Sequence, residues 1–271
     1  MNFKDRIGVD LGQRNKIEDG LAAAVAHGIR YLDLKIDVAP NAIPDARAHP
    51  RHSRGLRCPW HSCRHPHHVG GQCRRGGAAC ARRVDRYLFG HLEACSKLGG
   101  EWMVVHAGYH FTSDVKMRME AGLERLKRLS ARAEELGVTL LLENMNWEPD
   151  DAEVHYLAHN VEETLYYFER LDSPRLRWAF TANHDHLVEE GVDGFLANMD
   201  IKRCDEVRLA DCWRNGKEIH LRPGEGDFDF PDLFRKLEAA GFTGHYMNAF
   251  GSLDDMIEGR DVLARMVEPV N

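Results

Sequence analysis

Short β-prone runs alternate with longer amphipathic runs along most of the chain, and this alternation limits the fold more than any other feature. A strand is expected in "RIGVD" (6–10), then a helix in "KIEDGLAAAVAHG" (16–28) stopped by Gly28. "IRYLDLK" (29–35) reads as the next strand. The alternation resumes with a helix in "VDRYLFGHLEACSKLGG" (84–100), a strand in "EWMVVHAG" ending on His106, and a long helix over 114–136 closed by Gly137. "VTLLLEN" is a strand ending on Glu143, followed by helix "VEETLYYFERL" and strand "LRWAFT". The last third gives helix "LVEEGVDGFLANM", strand "EVRLAD", helix "FPDLFRKLEAAG", strand "FTGHYMNAF" and helix "LDDMIEGRDVLARMV".

Seven strands are visible, and each is followed by a helix except at one place. Such repetition means parallel strands with helices over their faces. A third strand belongs between Lys35 and Val84. With it the pattern becomes eight βα units: an α/β chain folded as a (β/α)8 TIM barrel, one domain over 1–271 with an irregular third unit. Such barrels carry their chemistry at the C-terminal strand ends, which selects His106, Glu143, Thr181, residues 208–211 and Asn248.

Other classes recede on composition. No apolar run approaches the ~20 residues a membrane span requires, and "MNFKDRIGVD" lacks the apolar stretch of a secretory leader. Seven cysteines, an odd number, fit reduced thiols and a cytoplasmic setting better than a disulfide framework. Net charge is −7, but residues 46–83 hold nine Arg and no acid, so the remainder carries −16. An acidic body opposes nucleic-acid binding and leaves a small sugar-like substrate compatible. Apolar outer helix faces allow a homodimer.

The strand-end motifs "VVHAGYH", "LLLENMNW", "FTANHDH", "VRLADC" and "IHLRPGEGDFDFPDLFRKLEAAGFTGHYMNAF" resemble those of the xylose isomerase-like TIM barrels. That superfamily holds sugar phosphate isomerases and epimerases, inosose isomerases and dehydratases, 3-dehydroshikimate dehydratases and endonuclease IV. The likeness covers most of the chain outside 46–83, and "PGEGDFDF" with the helix after it is its most specific part. It implies one divalent metal (Mn, Mg or Zn) on a Glu ending strand five, an Asp ending strand six, a His in strand seven and a Glu in strand eight. It implies no nucleotide cofactor.

Glu143 keeps the first of those ligands, whereas Thr181, Arg208 and Asn248 stand where the other three are expected. Thr and Asn are poor partners for a hard dication, and Arg stays protonated. His106, His184, His186, Glu218 and His220 are the donors from which another set could be assembled. Without the usual metal, Arg208 could hold a carboxylate or enolate oxygen in its place. Glu143 would then be the base, with His106 or His184 as the polarising acid, in an isomerisation, epimerisation or dehydration. The opposing reading pairs Arg208 with Glu143 or Asp211 in an inactive barrel that binds a carbohydrate or carboxylic acid.

Tyr109 and Trp147 are candidates for stacking on a sugar, and Asp33, Glu218, His220 and Asn248 for hydrogen bonds to it. Asp10, ending the first strand, reads equally as structural or binding.

Residues 46–83 break every pattern above. Arg, His and Cys make up half of them, and only Leu56, Trp60 and Val69 are sizeable hydrophobes. A zinc module would use Cys58, Cys63, Cys73 and Cys80, but their spacing holds no C-x-x-C pair. A disordered basic loop is a second reading. A third is a segment translated out of frame from GC-rich coding DNA, which accounts best for the abrupt loss and return of hydrophobic periodicity.

Overall fold

The computed structural model describes residues 2–12, 15–36, 60–61, 78–111, 114–214 and 216–267. Eight parallel strands close a barrel: β1 (Ile7–Asp10), β2 (Leu32–Lys35), β3 (Trp60–His61), β4 (Trp102–Val105), β5 (Thr139–Glu143), β6 (Leu176–Thr181), β7 (Cys204–Leu209) and β8 (His245–Asn248). Each pairs with its neighbour in sequence, and β8 returns to β1 through Ile7↔Tyr246 and Val9↔Asn248. The third strand is reduced to two residues, yet its backbone bridges β2 (Leu34↔Trp60) and β4 (Trp60↔Met103), so the ring closes. The rest of 37–77 lies outside the described residues, so the three readings of 46–83 meet the structure only at 60–61 and 78–83.

Helices cover the ring: α1 (Ile17–His27), α2 (Ala78–Leu98), α3 (Val115–Leu136), α4 (Val161–Arg170), α5 (Ala182–Asp185), α6 (Gly191–Asn198), α7 (Phe230–Ala239) and α8 (Leu253–Arg265). Helix α2 starts six residues before the expected Val84, inside the Arg-rich segment. The helix expected over 187–199 is shorter, and "ANHD" forms its own turn at the end of β6. Among the described residues no helix is long and apolar enough to cross a membrane. A two-stranded antiparallel ribbon, Tyr109–His110 with His155–Tyr156, joins the segments that follow β4 and β5.

Period-two alternation sorts each strand into two faces. Ile7, Val9, Leu32, Leu34, Leu140, Leu142, Trp178, Phe180, Val207, Leu209 and Tyr246 face outward into the main core beneath the helices. The opposite faces line the barrel interior. Trp102, Val104, Leu141 and Ala179 form a small apolar group there, with Tyr31 packed against it. The remaining interior positions are filled mainly by charge, and this interior charge builds the site.

Candidate active site

Strands β1, β2 and β7 direct Asp10, Asp33, Glu206 and Arg208 into the barrel, all four buried. Arg208 Nη1 donates to Asp33 Oδ2 (2.5 Å) and Glu206 Oε1 (2.6 Å), and Nη2 to Asp10 Oδ2 (2.5 Å). Glu206 passes the contact on, its Oε2 lying 3.0 Å from His245 Nε2, and that imidazole stacks on Tyr31. Burial acts against the Arg208 charge, but Glu206, Asp10, Asp33 and Glu143 together outweigh it and hold the guanidinium more firmly protonated than usual. Burial pushes the Asp33 carboxyl well above the ordinary range; Glu206 adds to the rise and Arg208 opposes it.

Arg208 therefore cannot act as the substrate-holding cation expected from the sequence. Both terminal nitrogens are spent on three carboxylates, and it has no exposed surface. Its partners are neither Asp211 nor, except at 3.8 Å, Glu143. Asp33 is likewise committed to this network rather than to a ligand. Three buried carboxylates require a counter-charge inside the barrel, and Arg208 supplies it.

Glu143 ends β5 with no exposure. Its Oε1 accepts the Thr181 hydroxyl (2.7 Å) and its Oε2 lies 3.0 Å from His106 Nε2. Burial raises the Glu143 pKa, yet the His106 hydrogen bond and the fields of Arg208 and His184 prevail and keep the carboxyl well below its usual range. The carboxylate is thus ionised and aimed at His106, whose side chain is 13% exposed. On the other flank, His184 Nδ1 lies 3.8 Å from Glu143 Oε1 and 2.8 Å from the Asn144 carbonyl oxygen.

The loop after β7 completes the site. Asp211 accepts the main-chain N–H groups of Cys212 (2.8 Å), Gly224 (2.7 Å), Gly226 (3.0 Å) and Phe228 (3.1 Å), folding "PGEG" back over the strand end. Gly226 is required there, because a Cβ would run into the Asp211 carboxylate and the Cys212 carbonyl. The folded loop carries Glu218 and His220 to His184. Glu218 Oε1 lies 2.6 Å from His220 Nε2 and 3.5 Å from His184 Nε2. Burial lifts the Glu218 pKa, but the two imidazoles outweigh it and hold the carboxyl far below its usual range.

The residues at the positions that the resemblance gives to the metal are engaged elsewhere. Thr181 spends its hydroxyl on Glu143, and Arg208 brings a cation where a ligand is needed. Asn248 faces the other way: its Nδ2 donates to the Met256 carbonyl on α8 (2.9 Å), on the outward face it shares with Tyr246. This corrects its placement as a substrate contact. His184, Glu218 and His220, by contrast, offer ligand atoms within 4.8 Å of one another. Each histidine turns Nδ1 to a main-chain carbonyl, Asn144 or Ala249, which only accepts, so the Nδ1 proton is fixed and Nε2 points at Glu218. Two Nε2 atoms and one carboxylate form a donor set that zinc accepts.

His186, the remaining candidate donor, pairs with Asp227 (2.8 Å) instead. Tyr109 sits in the ribbon with its ring edge against Phe111. Trp147 lines a cleft with His110, Glu148, His155 and Tyr156. Sequence reasoning missed Glu206. The signal was present, because Glu206 and Arg208 stand two apart in one strand and must share a face.

The description of the family that matches residues 21–266 is "xylose isomerase-like TIM barrel". An uncharacterized protein of Methanocaldococcus jannaschii, MJ1311, is 24% identical over 187 residues, 66% of this chain and 61% of that protein. A probable endonuclease 4 of Methanoculleus marisnigri is 29% identical over 133 residues, 46% of each chain. The matched stretches thus span less than two thirds of either relative. Among solved structures, a D-tagatose 3-epimerase-like protein superposes with a TM-score of 0.76 over 98% of both chains at 18% identity, a likeness of fold alone.

Proposed function

The chain belongs to the xylose isomerase-like TIM barrel family, and from that premise we propose that it moves a proton between adjacent carbons of a small sugar-like hydroxy-ketone. The observation that carries this reading is the buried Glu143 carboxylate aimed at His106, the one member of the pair that reaches solvent. His106 takes the proton beside the carbonyl, and Glu143 orients the ring and stabilises the imidazolium. Glu143, assigned as the base from sequence, becomes the positioning partner because nothing can touch it from outside. A divalent ion held by His184, Glu218 and His220 would supply electrophilic polarisation of the carbonyl oxygen. The name of the tagatose 3-epimerase-like neighbour supports a ketose, and epimerisation, isomerisation and dehydration share this first proton abstraction. Nucleic acid is not part of the proposal, given the net −16 outside residues 46–83.

The test is solvent deuterium exchange into a panel of ketoses. Exchange by the parent protein should fall about 10²–10⁴-fold in His106→Gln, the usual worth of a general base, and substantially in Glu143→Gln. Absence of exchange across a broad panel would overturn the proposal and leave a ligand-binding barrel without catalysis.

A further inference from the structure

Barrels of this architecture that take phosphorylated substrates frequently bind the phosphate on the loops after the seventh and eighth strands, where main-chain N–H groups and a helix N-terminus converge. In this chain the loop after β7 already holds an anion of its own. The Asp211 carboxylate is buried, and each of its oxygens accepts two main-chain N–H groups: Oδ1 those of Cys212 and Phe228, Oδ2 those of Gly224 and Gly226. Four N–H groups converging on one small anion make the kind of cradle that a phosphate would use. Here the occupant is part of the chain.

The segment after β8 is closed in the same way. Ser252 caps α8, and Asp255 Oδ2 accepts the Ser252 N–H (2.8 Å), so an acid of the first turn stands at that helix N-terminus. Arg222, which directly precedes "PGEG", pairs with Asp255. Charge at the strand ends acts in the same direction. Glu143 and Glu218 are both held ionised by their imidazole neighbours, and Arg208 has both terminal nitrogens on Asp10, Asp33 and Glu206. A phosphate brought to His106 and His184 would meet those two carboxylates, and juxtaposed like charges cost affinity. Arg214 and Lys217, exposed on the loop after β7, are the competing grip for an anion.

We infer that Asp211 is a built-in anion in the place where a substrate phosphate would sit, and that it commits the site to free, unphosphorylated hydroxy-ketones. The inference rests on the proton-transfer reading for the kind of substrate, and binding rather than turnover tests it.

Calorimetric titration of the full chain with D-tagatose and D-fructose, each against its 6-phosphate, gives the preference directly. The free ketose of at least one pair should bind at least about tenfold more tightly than its phosphate. Hydrogen exchange of Asp211→Ala, with and without inorganic phosphate, then tests the cradle. Phosphate should restore slow exchange at Gly224, Gly226 and Phe228 in the variant and leave the parent protein unchanged. Asp211→Asn, which keeps an acceptor oxygen without the charge, covers the case in which Asp211→Ala does not fold, and should bring the two affinities closer together. Tighter binding of a 6-phosphate by the parent, lost in Arg214→Ala or Lys217→Ala, would overturn the inference. So would binding of neither member of both pairs, or an Asp211→Ala loop indifferent to phosphate. Preference for the free ketose without solvent exchange would leave this inference standing and remove the proton-transfer reading, whereas exchange confined to the phosphates would do the reverse.

Discussion

Replacing Arg208 with Met removes the guanidinium that Asp10, Asp33 and Glu206 share and leaves a side chain of similar length in the barrel. The acids it contacts lose that counter-charge, and one that is ionised beside Arg208 must take up a proton once it is gone. Asp33 is already pushed high, so the new neutralisation falls on one of the other two. Holding an Asp of ordinary value 3.8 neutral at pH 7 costs about 3 pKa units, or about 4 kcal/mol at 1.36 kcal/mol per unit. A carboxyl raised in the folded state is fully compatible with folding below its unfolded pKa and costs stability as pH rises through the folded value. The loss should therefore shrink to about 2 kcal/mol at pH 5. At roughly 2–4 °C per kcal/mol for a chain of this size, the melting temperature at pH 7 should drop by about 8–16 °C. Equilibrium urea unfolding of both proteins at pH 5 and 7 reads this directly. A loss under about 1 kcal/mol at pH 7, or equal losses at the two pH values, would refute the counter-charge reasoning. Unchanged stability with loss of ligand binding would instead restore Arg208 to the substrate.

Three further outcomes are expected. Asp211→Ala deprives four main-chain N–H groups of their acceptor, so hydrogen exchange at Gly224, Gly226 and Phe228 should accelerate while the strands stay protected. Equilibrium dialysis with Zn²⁺ or Co²⁺ should give about one bound equivalent, lost in His220→Ala and kept in Thr181→Ala; binding that follows Thr181 would put the ion at the family's usual position. Asn248→Glu should destabilise the fold by several kcal/mol without gaining metal, because the new carboxylate meets the Met256 carbonyl beneath α8; tighter metal binding would show that β8 was read on the wrong face.

The barrel was legible from the chain alone because strand and helix periodicities are local, and seven of eight strands carry them intact. Strand ends follow from the same reading, so His106 and Glu143 could be singled out without knowing that they touch. The third strand was not legible, since two residues are too few to show a period, and only pairing with β2 and β4 reveals it. Asn248 was misplaced for a related reason: one position of register moves a side chain from the barrel interior to the helix layer. The family pattern fixed which residue to examine but not the face it occupies.

Arg208 shows the remaining boundary most clearly. Its chemical type was visible in "VRLAD", and so was the loss of a metal ligand. That it would be surrounded by acids from β1, β2 and its own strand was not, because those contacts join residues up to 198 positions apart. The same holds for His184, Glu218 and His220, which meet only because Asp211 folds the loop after β7 back across the strand end. Sequence by itself determined the eightfold repeat and the donors available at the strand ends. Tertiary structure decided which donors face one another, because closing the ring converts separation along the chain into adjacency across the barrel.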